Sequence, residues 1–343
     1  MNSLRGWILG ASVVVGAIVI CAAIWGAFSS VLLLFTAVLL SSGLRPFIDR
    51  MAQRMPFGTA AALAFTILIV LAAIIGFALL QPLAAEIMRL VQSVPGYAAS
   101  LQGQLSAAQK YFANDQTARQ IASAVAGGAG GAVTSLGQRL LGGPALVAAV
   151  LGDGVLILLL AVGWTLSVDD LQRFVLSLMP PAIRTDWQGA FAEMGSRLSA
   201  YVQGVVLNGG LVGVVMGGSL ALLGIPYAVL LGFITAIFQA IPMIGAGISG
   251  LIILPVVLAT SGWTKMWIVL AVFGVVQAID QNVLSPIIFG SRVQLSFLLI
   301  ILSTIVGGTL FGIAGAFLAV PAAAVIQVLI VRIVAPAIRQ SQV

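Results

Sequence analysis

Residues 198–264 read LSAYVQGVVLNGGLVGVVMGGSLALLGIPYAVLLGFITAIFQAIPMIGAGISGLIILPVVLATSGWT and hold no charged side chain. The wider stretch 198–331 carries only Lys265, Asp280 and Arg292. In water such a run would expose large contiguous apolar surface, whereas in lipid it is ordinary. The chain therefore reads as all-α, a polytopic membrane protein. Its few intramembrane charges mark where function is to be sought.

Composition supports this. Of the 343 residues 61% are hydrophobic and 7% charged, with a mean hydropathy of +1.18. A soluble domain carries about 25% charged residues. At about 20 residues per crossing, the apolar runs allow about eight spans, some short or broken. The net charge of +6 lies in loops and ends. It is read as an orientation signal and not as nucleic-acid affinity.

Several chemistries drop out. The sequence has no His, which removes His metal sites, Ser-His triads and His proton relays together. Single Cys21 excludes an intrachain disulfide framework. Lys110 and Lys265, the only lysines, stand in no Walker A context. An intramembrane aspartyl protease needs a GxGD setting, but Val150 takes the place of its first glycine and Asp153 precedes Asp280 in the wrong order. No enzyme, cofactor or metal site is expected.

Five segments follow along the chain. Residues 1–81 read as an uncleaved helical hairpin (7–24 and 27–42) plus a third helix, 57–80, ending at Gln81-Pro82. Between them Arg45, Asp49, Arg50 and Arg54 form a loop whose basic balance places it in the cytoplasm. Residues 82–143 read as extramembrane amphipathic helices, from Leu83, Ile87, Leu90 and Val94 at helical spacing, broken at Pro95-Gly96 and closed by the glycine-rich loop Gly127–Gly131. Helix 144–166 crosses next. The polar stretch 167–200 reads as cytoplasmic, with the stripe Trp187, Phe191, Met194, Leu198 and Tyr201 lying at the interface.

Residues 201–334 form the C-terminal core. Apolar runs 202–223, 227–241, 244–260, 266–284 and 296–331 are punctuated by Pro226, Pro242, Pro255, Pro286 and Pro321. Several are too short to cross, and broken helices at membrane depth are tolerated only in protein or lining a cavity. Run 296–331 is too long for one span and splits as a hairpin around Gly307–Gly312. An even number of crossings leaves both termini cytoplasmic, in keeping with Arg5, Arg332 and Arg339.

Asp280 is the sharpest candidate for a solute or ion pathway. Its window, Val276-Gln277-Ala278-Ile279-Asp280-Gln281-Asn282, offers a carboxylate and several amides, and Pro286 frees backbone carbonyls nearby. That inventory suits a proton, a cation or a hydroxylated solute. The bland alternative is a structural cluster pairing Asp280 with Arg292 or Lys265. Asp153, Asn208 and Gln239 complete the pathway set with Gln277 and Asn282, although interhelical hydrogen bonding accounts for the amides equally well. Gly209, Gly213 and Gly217 recur every fourth residue, as do Gly308 and Gly312, a pattern of close helix packing. Pro226, Pro242, Gly245, Pro286, Gly308 and Gly312 are the expected helix breaks and gates.

Residues 224–321 carry a family likeness. Gly224-Ile225-Pro226-Tyr227-Ala228, Leu231-Gly232 and Ile241-Pro242-Met243-Ile244-Gly245 resemble the central signature of the autoinducer-2 exporter (AI-2E, PerM-type permease) family. So do Gln277-x-Ile279-Asp280-x-Asn282 with Pro286 and Gly290, and Gly307-Gly308-x-Leu310-Phe311-Gly312 with Gly315 and Ala319-Val320-Pro321. Ser296-Phe297 departs from it, where a proline is expected. The layout is similar too, from Leu44-Arg45-Pro46 to the acidic turn Val168-Asp169-Asp170.

The resemblance implies a multi-pass protein of the bacterial inner membrane and a homo-oligomer, a pentamer being one option. It implies secondary export of a small hydroxylated signal or solute. Sodium (cation)–proton antiport is the alternative within the family. A non-transporting scaffold that docks a partner through 82–143 is the alternative outside it. The partners expected are a small-molecule solute or cation and proton, and the lipid bilayer.

Overall fold

The computed structural model describes residues 30–111, 143–241, 244–289 and 295–340. Among them six helices are long and apolar enough to cross a bilayer: α1 (Ser30–Ala52), α2 (Phe57–Tyr111), α3 (Gly143–Ser177), α4 (Pro181–Leu222), α6 (Ile244–Ile279) and α8 (Phe297–Leu329). The apolar α5 (Ala228–Phe238), the short α7 (Ser285–Phe289) and α9 (Ala335–Gln340) complete the set. The outward faces are apolar, with Phe77 and Val214 74% exposed and Leu251 73%. Such surface belongs against lipid. Expected helix 7–24, loop Gly127–Gly131, Pro242 and Arg292 lie outside the described residues.

Three boundaries differ from the sequence reading. α1 does not end before Arg45 but runs on to Ala52. Ile48 is fully buried, and Arg45 pairs with Asp49 one turn on (2.9 Å) and with Asp169 of α3 (2.8 Å), so both packing and charge hold this turn helical. α2 does not stop at Gln81-Pro82 or break at Pro95-Gly96; it is continuous for 55 residues. Beyond Pro82, Leu83, Ile87 and Leu90 pack on a core containing Met216, Leu220, Ile225 and Tyr227, and this tertiary contact outweighs the proline penalty. Finally, 167–200 is helical apart from one turn: α3 extends to Ser177, and α4 starts with Pro181 at its first position and runs straight into the apolar stretch.

α4 is the spine, about 63 Å long. It ends in a Schellman motif: Ile225 N–H donates to the Leu220 carbonyl (2.9 Å) and Gly224 N–H to Ala221 (3.0 Å), with Gly224 at φ 61°. Pro226 then forbids continuation, and Tyr227 at φ 64° turns the chain back into α5. α5 lies along the glycine stripe of α4. A Cβ on Gly213 would stand 2.6 Å from the Ala236 Cβ, and one on Gly209 2.7 Å from the Ala236 carbonyl oxygen. The stripe is therefore a packing groove for a half-length helix of 11 residues.

Two of the long helices are folded hairpins. α6 breaks at Gly262 (φ 80°, ψ 178°), and its arms pack together, Phe273 of the second against Gly250 of the first. α8 breaks at Phe311-Gly312, where Gly312 takes φ 62°. There Gly307 and Gly315 meet backbone to backbone, while Gly308 has only ordinary contacts. The split expected around 307–312 is thus present, turned by Gly312 and closed by Gly307. The first arm of α8, 297–310, spans about 21 Å, too short for a hydrocarbon core of about 30 Å.

Candidate functional site

α5, α6 and α8 bring their broken ends to one place against α4. The chain enters at the end of the bundle carrying Gly224 and Lys265, and α5 stops partway, at Phe238. Gln239-Ala240-Ile241 forms the bend, and Gly245 packs so close to the Phe238 carbonyl oxygen that a Cβ would overlap it. The second arm of α6 descends beside this bend and ends at Ile279.

Asp280 opens a π-helical turn, Asp280–Leu284, in which Ser285 N–H reaches back five residues to the Asp280 carbonyl. The cause is Pro286. Its ring lacks an N–H and crowds the carbonyl of Asn282, so the helix widens by one residue just before it. The same happens at Ile330–Val334, where Ala335 N–H bonds the Ile330 carbonyl ahead of Pro336. The extra residue turns Asp280 inward, leaving it 3% exposed.

A cavity of about 320 Å³ results, lined by Tyr201 and Asn208 of α4, Gln239 and Ile241 of the bend, Gln277, Asp280, Gln281 and Ser285, with Ala246, Phe289, Ile300 and Val320 as apolar wall. Gln239 Nε2 donates to Asp280 Oδ2, and Ser285 Oγ donates to Oδ1 at 3.3 Å. Four other buried side-chain atoms of the wall have no partner among the described residues: Asn208 Oδ1, Gln239 Oε1, and both Oε1 and Nε2 of Gln277. Among the described residues no Lys or Arg lines the cavity. Tyr201, 2% exposed, donates to the Ala240 carbonyl of the bend (3.3 Å) and the Phe317 carbonyl of α8 (3.2 Å). One hydroxyl proton thus serves two broken elements.

Beneath the cavity, toward the end carrying Arg45 and Asp169, α4 and α8 are tied by charge. Arg197 donates to Gln327 Oε1 (2.7 Å) and Glu193 Oε1 (2.6 Å), and Arg332 pairs with Glu193.

Of the residues singled out from sequence, Asp280, Gln277, Gln239 and Asn208 converge on this cavity. Asn282 does not: its Nδ2 donates to the Ala278 carbonyl and its side chain is exposed on the other face of the turn. Asp153 is exposed on α3, apart from the cavity wall. Lys265 stands about 22 Å of helix from Asp280 and donates to the Gly224 carbonyl (3.4 Å), so it is no counter-ion. Among the expected breaks, Pro226 lies in the turn before α5, Gly245 at the bend and Gly312 at the hairpin tip, while Pro286 acts through the π turn. Tyr201 was hidden inside an apolar stripe. Its seven-residue spacing to Asn208, two helical turns on one face, is the signal that tells it apart.

A bundle of apolar helices, several of them broken around a partly open cavity that holds a buried carboxylate and amides, is an arrangement that membrane transport proteins use. The chain belongs to the AI-2E transporter family: the family described as "AI-2E family transporter" matches residues 14–335. Among similar proteins, "Putative transport protein YrrI" of Bacillus subtilis (strain 168) is 30% identical over 165 residues, 48% of this chain and 46% of that protein. "Putative permease PerM" of Escherichia coli (strain K12) is 32% identical over 139 residues, 40% of this chain and 39% of that protein. The match to each therefore spans less than half of the relative's length.

Proposed function

We propose that the protein is a secondary carrier of the inner membrane, both termini cytoplasmic and assembled as a homo-oligomer, that exports a small hydroxylated solute through the cavity at Asp280. The signal autoinducer-2 is the first solute to test. The observation that carries this reading is the set of four unpartnered amide atoms, among the described residues, on side chains that line the Asp280 cavity. Buried polar atoms are nearly always satisfied, so these are groups kept for something that comes and goes. Amide oxygens and a carboxylate accept hydrogen bonds, and the described wall, with no basic residue, offers anions no counter-charge. A neutral solute rich in hydroxyl donors fits. The apolar side, Ile241, Ile300, Phe289 and Val320, suits its carbon skeleton.

The test is autoinducer-2 flux in proteoliposomes of the purified protein, with and without an imposed proton gradient, comparing wild type with Asp280→Asn. Gradient-driven flux that the variant loses supports a coupled exporter. Absence of flux in wild type under both conditions sinks the solute assignment.

A second reading rests on the same donor set: a carboxylate with amide oxygens also suits a hard monovalent cation. Sodium-dependent proton movement in vesicles with no organic solute added favours cation–proton antiport.

A further inference from the structure

We infer that Glu86 is a positioning residue for the cavity: from the far stretch of α2 it fixes the half-helix whose other end presents Gln239 to Asp280. The inference rests on the proposed function only in taking that cavity as the transport site.

α5 begins inside the protein with no cap of its own. Its N-cap position is Tyr227 in the left-handed region, whose side chain makes no capping bond. The first-turn N–H groups of any helix lack partners within that helix. For α5 one of them is taken by a distant residue: Leu230 N–H donates to Glu86 Oε2 at 2.7 Å. This is the third position of the helix, where a local capping side chain would bind. A carboxylate there also meets the positive end of the helix dipole.

The approach of Glu86 is itself built. Leu83 and Ile87, flanking it on α2, and Leu90 one turn on pack on the core of Ile225, Tyr227, Met216 and Leu220. Along its length α5 meets α4 through the small residues Gly232 and Ala236 over Gly209, Gly213 and Gly217. Glycine faces provide close contact but few side-chain ridges to fix axial position. Leu230, Leu231 and Ile234 key the other side of the rod into the core, and the polar contacts at its ends refine its position along its axis. At one end stands Glu86; at the other Gln239 donates to Asp280. With 11 residues, α5 is about 16 Å long and stiff. A shift at Leu230 is passed to Gln239 whole. Glu86 and Glu193 are the only glutamates in the sequence. Neither lines the cavity.

The experiment reads the cavity directly, independently of any solute. Ala246 lines the cavity just past the bend. In a Cys21→Ser background, Ala246→Cys reports cavity geometry through its reaction rate with a small water-soluble methanethiosulfonate in the full-length protein. Loss of a hydrogen bond to a charged acceptor is expected to change that rate about tenfold in Glu86→Ala. Glu86→Gln, which keeps an acceptor oxygen, is expected within about twofold of wild type. A wild-type rate in Glu86→Ala overturns the inference, as does a Gln variant that behaves like the Ala one. Should Glu86→Ala not assemble, Glu86→Asp, whose carboxylate falls about 1.5 Å short, replaces it: a shifted rate supports the inference and a wild-type rate overturns it. Autoinducer-2 and sodium flux are measured on the same proteins. A shifted labelling rate in a protein that moves neither solute sinks the transport reading while Glu86 positioning stands. Flux with unshifted labelling does the reverse.

Discussion

Replacing Gln277 by Leu is expected to stabilise the protein while impairing it. Gln277 is 8% exposed, and neither its Oε1 nor its Nε2 has a protein partner. A buried polar group left unmade costs about 1–3 kcal/mol. The cavity's volume of about 320 Å³ admits several waters at roughly 30 Å³ each; the amide atoms are closed to them as they stand, and a turn of the side chain toward them recovers part of that cost. The net relief from an apolar side chain of similar volume is then about 1 kcal/mol. For a chain of this size that is a rise in Tm of about 2 °C, read from tryptophan fluorescence in one detergent. Flux in proteoliposomes is expected to fall about tenfold or more, because a donor and an acceptor leave the wall together. A fall in Tm of several degrees would refute the reasoning. It would mean that the amide belongs to a structural network, so that the cavity's unsatisfied atoms no longer point to a ligand.

Asp280→Asn separates the two transport readings by magnitude. A cation about 4 Å from a carboxylate gains about 4 kcal/mol at an effective dielectric of 20, so its apparent affinity should drop about a thousandfold. A neutral solute donating to the same oxygen should lose only about tenfold; KM for sodium and for autoinducer-2 in flux assays distinguishes these. Tyr201→Phe removes the one proton shared by Ala240 and Phe317. It is expected to lower Tm by a few degrees, for about 1 kcal/mol, and to alter the maximal rate more than KM; an unchanged rate would show that the hydroxyl ties nothing that moves. Asn282→Ala and Asp153→Asn, both outside the cavity wall, should leave flux within about twofold of wild type, and a tenfold loss in either would place the pathway elsewhere.

The membrane class, the broken C-terminal helices and four of the residues that meet at the candidate cavity were all legible in the sequence, each for a physical reason. Asp280 stood out because a carboxylate in an uncharged stretch is costly. The run 296–331 was too long for one crossing and had to turn, as it does at Gly312. What could not be read was direction. Gln277, Asp280, Gln281 and Asn282 lie within six residues, and an ordinary helix period leaves it open which of them share a face. The π turn forced by Pro286 settles this, sending Asp280 inward and Asn282 outward. The helix limits failed for a different reason. Pro82 is a local stop signal, but there α2 is held by packing on residues more than a hundred positions away, which no local rule contains. Glu86 was invisible likewise: its partner is a backbone N–H of Leu230, and backbone groups leave no mark in a sequence.

The ties that hold the cavity's walls differ in kind. At one end Glu193 bridges Arg197 and Arg332, with side chains 25%, 16% and 48% exposed. The Arg332 arm of that bridge is open to water and screened, and such pairs contribute about 0–1 kcal/mol. At the other end Glu86 accepts a backbone N–H that its own helix cannot satisfy. Hydrogen bonds to charged groups contribute about 1.5–3 kcal/mol, and breaking this one strands a partly buried donor as well. Tyr201 sits between, tied to both broken elements at distances longer than the usual O–H···O bond. Arg197, donating to Gln327 of α8 at 2.7 Å, is a further tie of the same kind as the Glu86 contact, so what sets the α8 wall apart is its broken helix. On the proposed function, motion that admits or releases solute begins at α8, whose break at Gly312 and close Gly307–Gly315 contact supply the hinge. α5 with Gln239 stays fixed against Asp280 until the Glu86 contact is released.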